Sequence, residues 1–134
     1  MASMTKAKAL EKELQDELEQ LKKLQADMRK SVGSRQQLES QLRENQIVKD
    51  ELGLLKPSNT VYKLIGPALV KQDLTEAKQT VDKRLEFINK EIERCEAVIK
   101  DLEGKSEQKK EKLVKLQTSL QAQLQTSFQK QKLK

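Results

Sequence analysis

Between two stretches suited to long helices, the segment Thr60 to Gln72 reads TVYKLIGPALVKQ, with apolar and β-branched runs on either side of Gly66-Pro67. Such runs around such a pair read as two antiparallel strands joined by a tight turn. Glycine supplies the positive φ of a type II′ turn, and the fixed φ of proline, about −65°, is tolerated at the next position. Alternation puts Thr60, Tyr62 and Leu64 on one face and Val61, Lys63 and Ile65 on the other, while Ala68, Val70 and Gln72 oppose Leu69 and Lys71 on the return strand. Both faces carry apolar groups. A two-stranded ribbon is marginal alone in water, and its free edges recruit other chains. The ribbon can pack on its own helices, but a narrow helix pair cannot cover two faces and two edges. Pairing with hairpins of other subunits into a closed barrel answers the problem directly.

The flanking segments have the composition of long helices. Of 134 residues, 36% are charged and only Tyr62, Phe87 and Phe128 are aromatic, so there is too little apolar mass for a thick globular core. From about Lys6 to Leu55, Leu10, Leu14, Leu21, Leu24, Met28, Leu38, Leu42 and Leu52 occupy the a and d positions of one heptad frame. Arg35, Asn45 and Lys49 interrupt it, and Pro57 with Ser58-Asn59 ends the helix. The second helix is expected to be capped by Asp73, with Glu76 three residues on as in a capping box. Its seam runs Val81, Leu85, Ile88, Ile92, Cys95, Ile99, Leu102, then Leu113, Leu116 and Leu120, with a gap at Ser106 and Lys109.

The expected fold is mainly α, a long antiparallel coiled-coil hairpin whose central β-hairpin joins an intersubunit β-barrel. Residues 1–134 would form one domain: an N-terminal helix over about 6–55, the β-hairpin over 56–72, a C-terminal helix over 73–128 and a basic tail over 129–134. Helices of such length extend roughly 70 to 80 Å. Setting Leu52 opposite Leu85 places Gly33 near Gly104 and Ser31 near Ser106, so the weak points of both seams would coincide in a flexible joint.

Near each end the apolar spacing changes to repeated fours, Leu10, Leu14, Leu18 and Leu116, Leu120, Leu124, Phe128. Each step of four advances roughly 40° around a helix of 3.6 residues per turn, so these stripes drift away from a straight seam. A local change of winding or fraying is one meaning. The other is a weak hydrophobic grip left exposed among Gln117, Gln121, Gln123, Gln125 and Lys130.

Reactive chemistry is sparse. The chain has no histidine, no Gly-rich phosphate loop and no thiol cluster, so an enzyme, a cofactor and a metal site are not expected. Cys95, the single cysteine, reads as a small seam hydrophobe. With one cysteine, no secretory signal pattern and nothing near the roughly 20 apolar residues of a membrane span, a soluble cytosolic or nuclear protein is expected. The net charge of +6 resides in Lys105 to Lys134, where eight lysines face two glutamates. That segment reads as a solvated helix face or as a site for acidic surfaces; no aromatic interleaving points to specific nucleic acid.

The run SRQQLESQLRENQIVKDELGLL, followed by VYKLIGPALVKQDLTEAKQTVDKRLEFINKEIE, resembles the β-type subunits of prefoldin. The resemblance covers about Leu10 to about Leu120, and its most specific part is VYKLIGPALVKQ with the helix start after it. It implies a hexamer of α-type and β-type prefoldin subunits, with hairpins forming a double β-barrel and coiled coils hanging as tentacles. It further implies a cytoplasmic chaperone that holds unfolded actin and tubulin chains without ATP and passes them to the cytosolic chaperonin. Carried over by position, Val61, Tyr62, Leu64, Ile65, Leu69 and Val70 would build the barrel. Leu10, Leu14, Leu120, Leu124 and Phe128 would meet clients. The rival readings are a structural coiled-coil tether and an RNA-binding helical arm resembling that of seryl-tRNA synthetases.

Overall fold

In the computed structural model, residues 2–132 are described. The element order is α1 (Ala2–Leu54), β1 (Val61–Ile65), β2 (Ala68–Gln72) and α2 (Leu74–Lys132). Two long helices enclosing one antiparallel strand pair match the mainly α fold expected. α2 runs on to Lys132, past the end expected at 128. Nothing in the composition stops it earlier, since Gln, Lys and Leu are good helix formers and neither Gly nor Pro follows Gly104.

The connections follow from local chemistry. Beyond Leu54 the chain turns through Lys56 to Asn59: the Asn59 amide donates to the Lys56 carbonyl at 2.9 Å, and the Asn59 side-chain oxygen accepts from the Lys56 amide at 2.7 Å. Pro57 sits at the second position of this turn, where its fixed φ fits. Asp73 precedes α2 as its cap; its Oδ2 accepts from the Glu76 amide at 3.2 Å, and its carbonyl accepts from Ala77 at 2.9 Å. The strands pair Val61 with Gln72, Tyr62 with Lys71, Lys63 with Val70, Leu64 with Leu69 and Ile65 with Ala68. This leaves a two-residue loop of Gly66 and Pro67, with Gly66 at φ 59°. A Cβ at Gly66 would touch nothing within 4 Å, so backbone conformation rather than space demands glycine there.

Contacts divide the chain into two units. The hairpin unit, Val32–Ala97, has a core cluster of Leu52, Ala77, Val81 and Leu85, with Leu42, Leu55, Val61 and Leu74 packed against it. Arg35 reaches Glu96 at 3.2 Å and Lys49 reaches Asp82 at 3.1 Å. These pairs correct the expected register. With Leu52 opposite Leu85 throughout, Arg35 would face Leu102 and Lys49 would face Ile88; in both cases the partner found lies nearer the hairpin along α2. Leu52 and Leu85 do share one cluster, because a large seam side chain touches partners over more than one turn of the facing helix. The predicted coincidence of weak points rested on the displaced register and goes with it.

The terminal unit joins the chain up to Ser31 with the chain from Val98 onward. Ala7, Leu21, Ile99 and Leu116 are buried in it, together with three polar residues, Glu17, Ser106 and Ser127.

Two glycine substitutions should act in opposite directions. Gly66→Ala should cost about 1 kcal/mol through the left-handed backbone. Gly33→Ala, in a helix and in open space, should add roughly 0.5 to 1 kcal/mol. Thermal unfolding followed by circular dichroism should place the two midpoints on opposite sides of the unsubstituted protein.

Candidate functional site

Two surfaces and one buried network stand out. The first surface is the hairpin, the one sheet among the described residues. Tyr62, Leu64 and Leu69 share a face with Lys71; Ile65, Ala68 and Val70 share the other with Val61, Lys63 and Gln72. Leu64 is 69% exposed and Leu69 68%, and Tyr62, Ile65 and Val70 are also exposed. Val61 differs from the rest of the expected assembly set. It is half-buried against the Leu52–Val81–Leu85 cluster, so it roots the ribbon on the helices instead of standing free. Apolar side chains therefore crowd both faces of a ribbon whose outer edges have no strand partner among the described residues. Lys63 and Lys71, one on each face, are the charges that oppose indiscriminate edge pairing.

The second surface lies near the chain ends. The three-four seam does not stop where the leucines begin to recur at fours; it continues through small or polar residues. Away from the hairpin, α1 buries Ala7, Glu17 and Leu21, and α2 buries Ser106, Leu116 and Ser127. The leucine stripes leave that line as the spacing requires. Leu10 and Leu14 are half-buried while Leu18 is exposed; Leu116 is 9% exposed, Leu120 and Leu124 are half-buried, and Phe128 is 65% exposed. The five residues expected to meet clients are thus graded in access, Phe128 being the most open. Val114, 61% exposed one turn before Thr118, adds to the apolar surface of α2 and was not foreseen, because it belongs to neither the seam nor the stripe.

The buried network is centred on Glu17. Lys109 Nζ donates to Glu17 Oε2 at 2.6 Å and to Gln20 Oε1, and Lys112 Nζ donates to Glu17 Oε1 at 2.9 Å. Glu13 lies 3.9 Å from Lys112 on the rim. The Glu17 side chain is 8% exposed, unlike the other acidic partners in this chain's ion pairs. Hydrogen bonds from Lys109 first, and then from Lys112, hold its carboxyl below the usual glutamate range. The same contact, through the Glu17 hydrogen bond, pushes the Lys112 ammonium above the ordinary lysine range. The signal was present in the heptads: between Leu14 and Leu21 the frame requires an occupant at 17, and the α2 gap holds Lys109.

Cys95 is half-buried, as expected of a seam position. Among the described residues, no group of three or more His, Cys, Asp or Glu side chains is placed to hold a metal ion, and no helix is long and apolar enough to cross a membrane.

The described residues thus form two long helices with a solvent-facing strand ribbon between them. Residues 15–132 match the family model described as prefoldin subunit. The chain belongs to the prefoldin subunit family. Prefoldin subunit 6 of Homo sapiens is 53% identical over 115 residues, covering 86% of this chain and 89% of its own length. The Arabidopsis thaliana prefoldin subunit 6 is 44% identical over 121 residues, covering 90% and 93%. The crystal structure of the prefoldin beta subunit from Thermococcus strain KS-1 superposes with a TM-score of 0.54 at 25% identity, covering 82% of this chain and 90% of that one. Prefoldin subunits are chaperones, and other prefoldin subunits are the partners that membership implies.

The network has a pH signature. Because folding lowers the Glu17 pKa, its contribution is complete above the unfolded carboxylate range and is lost as pH falls through the folded value. Lys112, raised by the same contact, contributes fully below the ordinary lysine range and loses its share only as pH climbs through its folded value. The drop in unfolding midpoint from pH 7 to pH 3 should therefore be larger for the unsubstituted chain than for Glu17→Gln.

Proposed function

We propose that this chain uses its hairpin to join a heterohexamer of α-type and β-type prefoldin subunits, and that the assembly captures unfolded polypeptides in the cytoplasm without ATP. The observation that carries the reading is the exposed ribbon: five large apolar side chains, Tyr62, Leu64, Ile65, Leu69 and Val70, on two faces of one strand pair. Fully burying such a side chain is worth about 1.5 to 3 kcal/mol. Neighbouring hairpins would supply that burial and fill the open edges, while Val61 holds the ribbon to its own helices.

In this reading Leu10, Leu14, Leu120, Leu124 and Phe128 contact clients, of which actin and tubulin chains are the expected examples. Each contact is small and non-directional, as adaptable apolar surfaces rimmed by polar groups are. Several arms on one body then bind by multivalency, so capture is firm although each contact is weak. Release needs no fuel, because the cytosolic chaperonin can compete for the client or for the same helix ends. A mere spacer would leave the apolar ribbon without purpose.

Two experiments test the two halves. Leu64→Lys with Leu69→Lys, both on solvent-facing ribbon positions, should weaken incorporation by roughly tenfold or more, read by native mass spectrometry with the companion subunits. Unchanged incorporation would remove the hairpin from the interface. Truncation after Leu116 should leave assembly intact and reduce suppression of client aggregation; full suppression would shift client binding elsewhere.

A further inference from the structure

We infer that the Glu17–Lys109–Lys112 network sets the register of the terminal unit and thereby decides which apolar side chains face outward near the chain ends. The inference goes beyond client holding, and it can be tested without a client. It begins from an ambiguity in the apolar pattern. A stripe such as Leu116, Leu120, Leu124, Phe128 is self-similar under a shift of four residues, as is Leu10, Leu14, Leu18. Within these stripes, sliding one helix by about one turn replaces one large apolar side chain by the next. Hydrophobic burial, being non-directional, discriminates poorly between those arrangements.

The polar residues of the seam do discriminate. Glu17 is 6% exposed, and both its carboxylate oxygens accept from lysines of the facing helix, Oε2 from Lys109 and Oε1 from Lys112. Gln20 takes a further hydrogen bond from Lys109 on the same face of α1. Sliding by one turn so that Leu113 and Leu116 meet Glu17 would strip the carboxylate of both donors and leave a desolvated charge, which costs far more than a lost surface ion pair. The opposite slide would set Lys105 and Gln108 against it and so replace one of its two ammonium donors by a neutral amide. Ser106 narrows the choice again. It is 4% exposed and its hydroxyl has no hydrogen-bond partner, so a small residue is held at a seam position where a leucine would normally fill the space. A single polar group at a seam position is a known means of fixing register at a cost in stability. Here the consequence is directional, because register fixes which of the drifting side chains, Leu18 and Phe128 among them, end up on the outside.

Nitroxide labels at Lys8→Cys and Lys105→Cys, both exposed and outside the network, report the register of the full-length chain in a Cys95→Ser background, diluted with unlabelled protein. Pulsed dipolar spectroscopy should give one narrow distance distribution. Glu17→Leu with Lys109→Leu, which removes the buried charge and one of its partners without leaving a cavity, should keep its helical content. Its distribution should broaden or split, with a second population displaced along the axis by about 6 Å, four residues of helical rise. The charge swap Glu17→Lys, Lys109→Glu, Lys112→Glu, which rebuilds the pairing in reverse, should return a single distribution. A leucine variant that keeps the one narrow distance, or a folded swap variant that stays split, would overturn the inference.

Discussion

The spacing of the helical seam is the constraint on which everything else in this chain depends. Among the described residues no large side chain is completely buried, and the core of each unit is a single line of residues between two helices. In a globular protein a poorly placed residue can be absorbed by several layers of packing. Here each seam residue has the facing helix as its main shelter. Three-four spacing keeps Leu52, Val81 and Leu85 in contact in the hairpin unit and Leu21, Ile99 and Leu116 buried in the terminal unit. Where the spacing turns to repeated fours, exposure grows toward Leu18 and Phe128, on the surface proposed to meet clients.

The hairpin obeys the same arithmetic by a different route. With period two instead of three and a half, five-residue strands bearing apolar groups on both faces cannot be buried by helices that approach from one end. Val61 is the residue that reaches the helical cluster, and the others are left outside it. In the proposed assembly, hairpins of other prefoldin subunits would cover that exposure and complete the ribbon.

Much of this was legible in the residues. Gly66-Pro67 between β-branched runs specified a two-residue turn, because so few backbone geometries accept glycine followed by proline. Asp73 announced its helix through the amides that it satisfies. The drift of Leu116 through Phe128 followed from a 40° advance per step and was found as a gradient of exposure. Register was not legible. Leu52 and Leu85 were plausible partners, but apolar residues repeating every few positions offer many near-equivalent alignments, and charged partners such as Arg35 with Glu96 settle the choice. Glu17 is hard to read for a related reason: a glutamate in a chain with 21 acidic residues looks like surface until the facing lysines are placed beside it.

The graded exposure from Leu116 to Phe128 has a mechanical corollary. A stripe that leaves its shelter by the same small angle at every step has no sharp border. For a flexible polymer resting on it, adhesion would change as a slope rather than a cliff. Such a segment could creep along this stretch of α2 and peel away piecemeal, without ever having to break all its footholds at once.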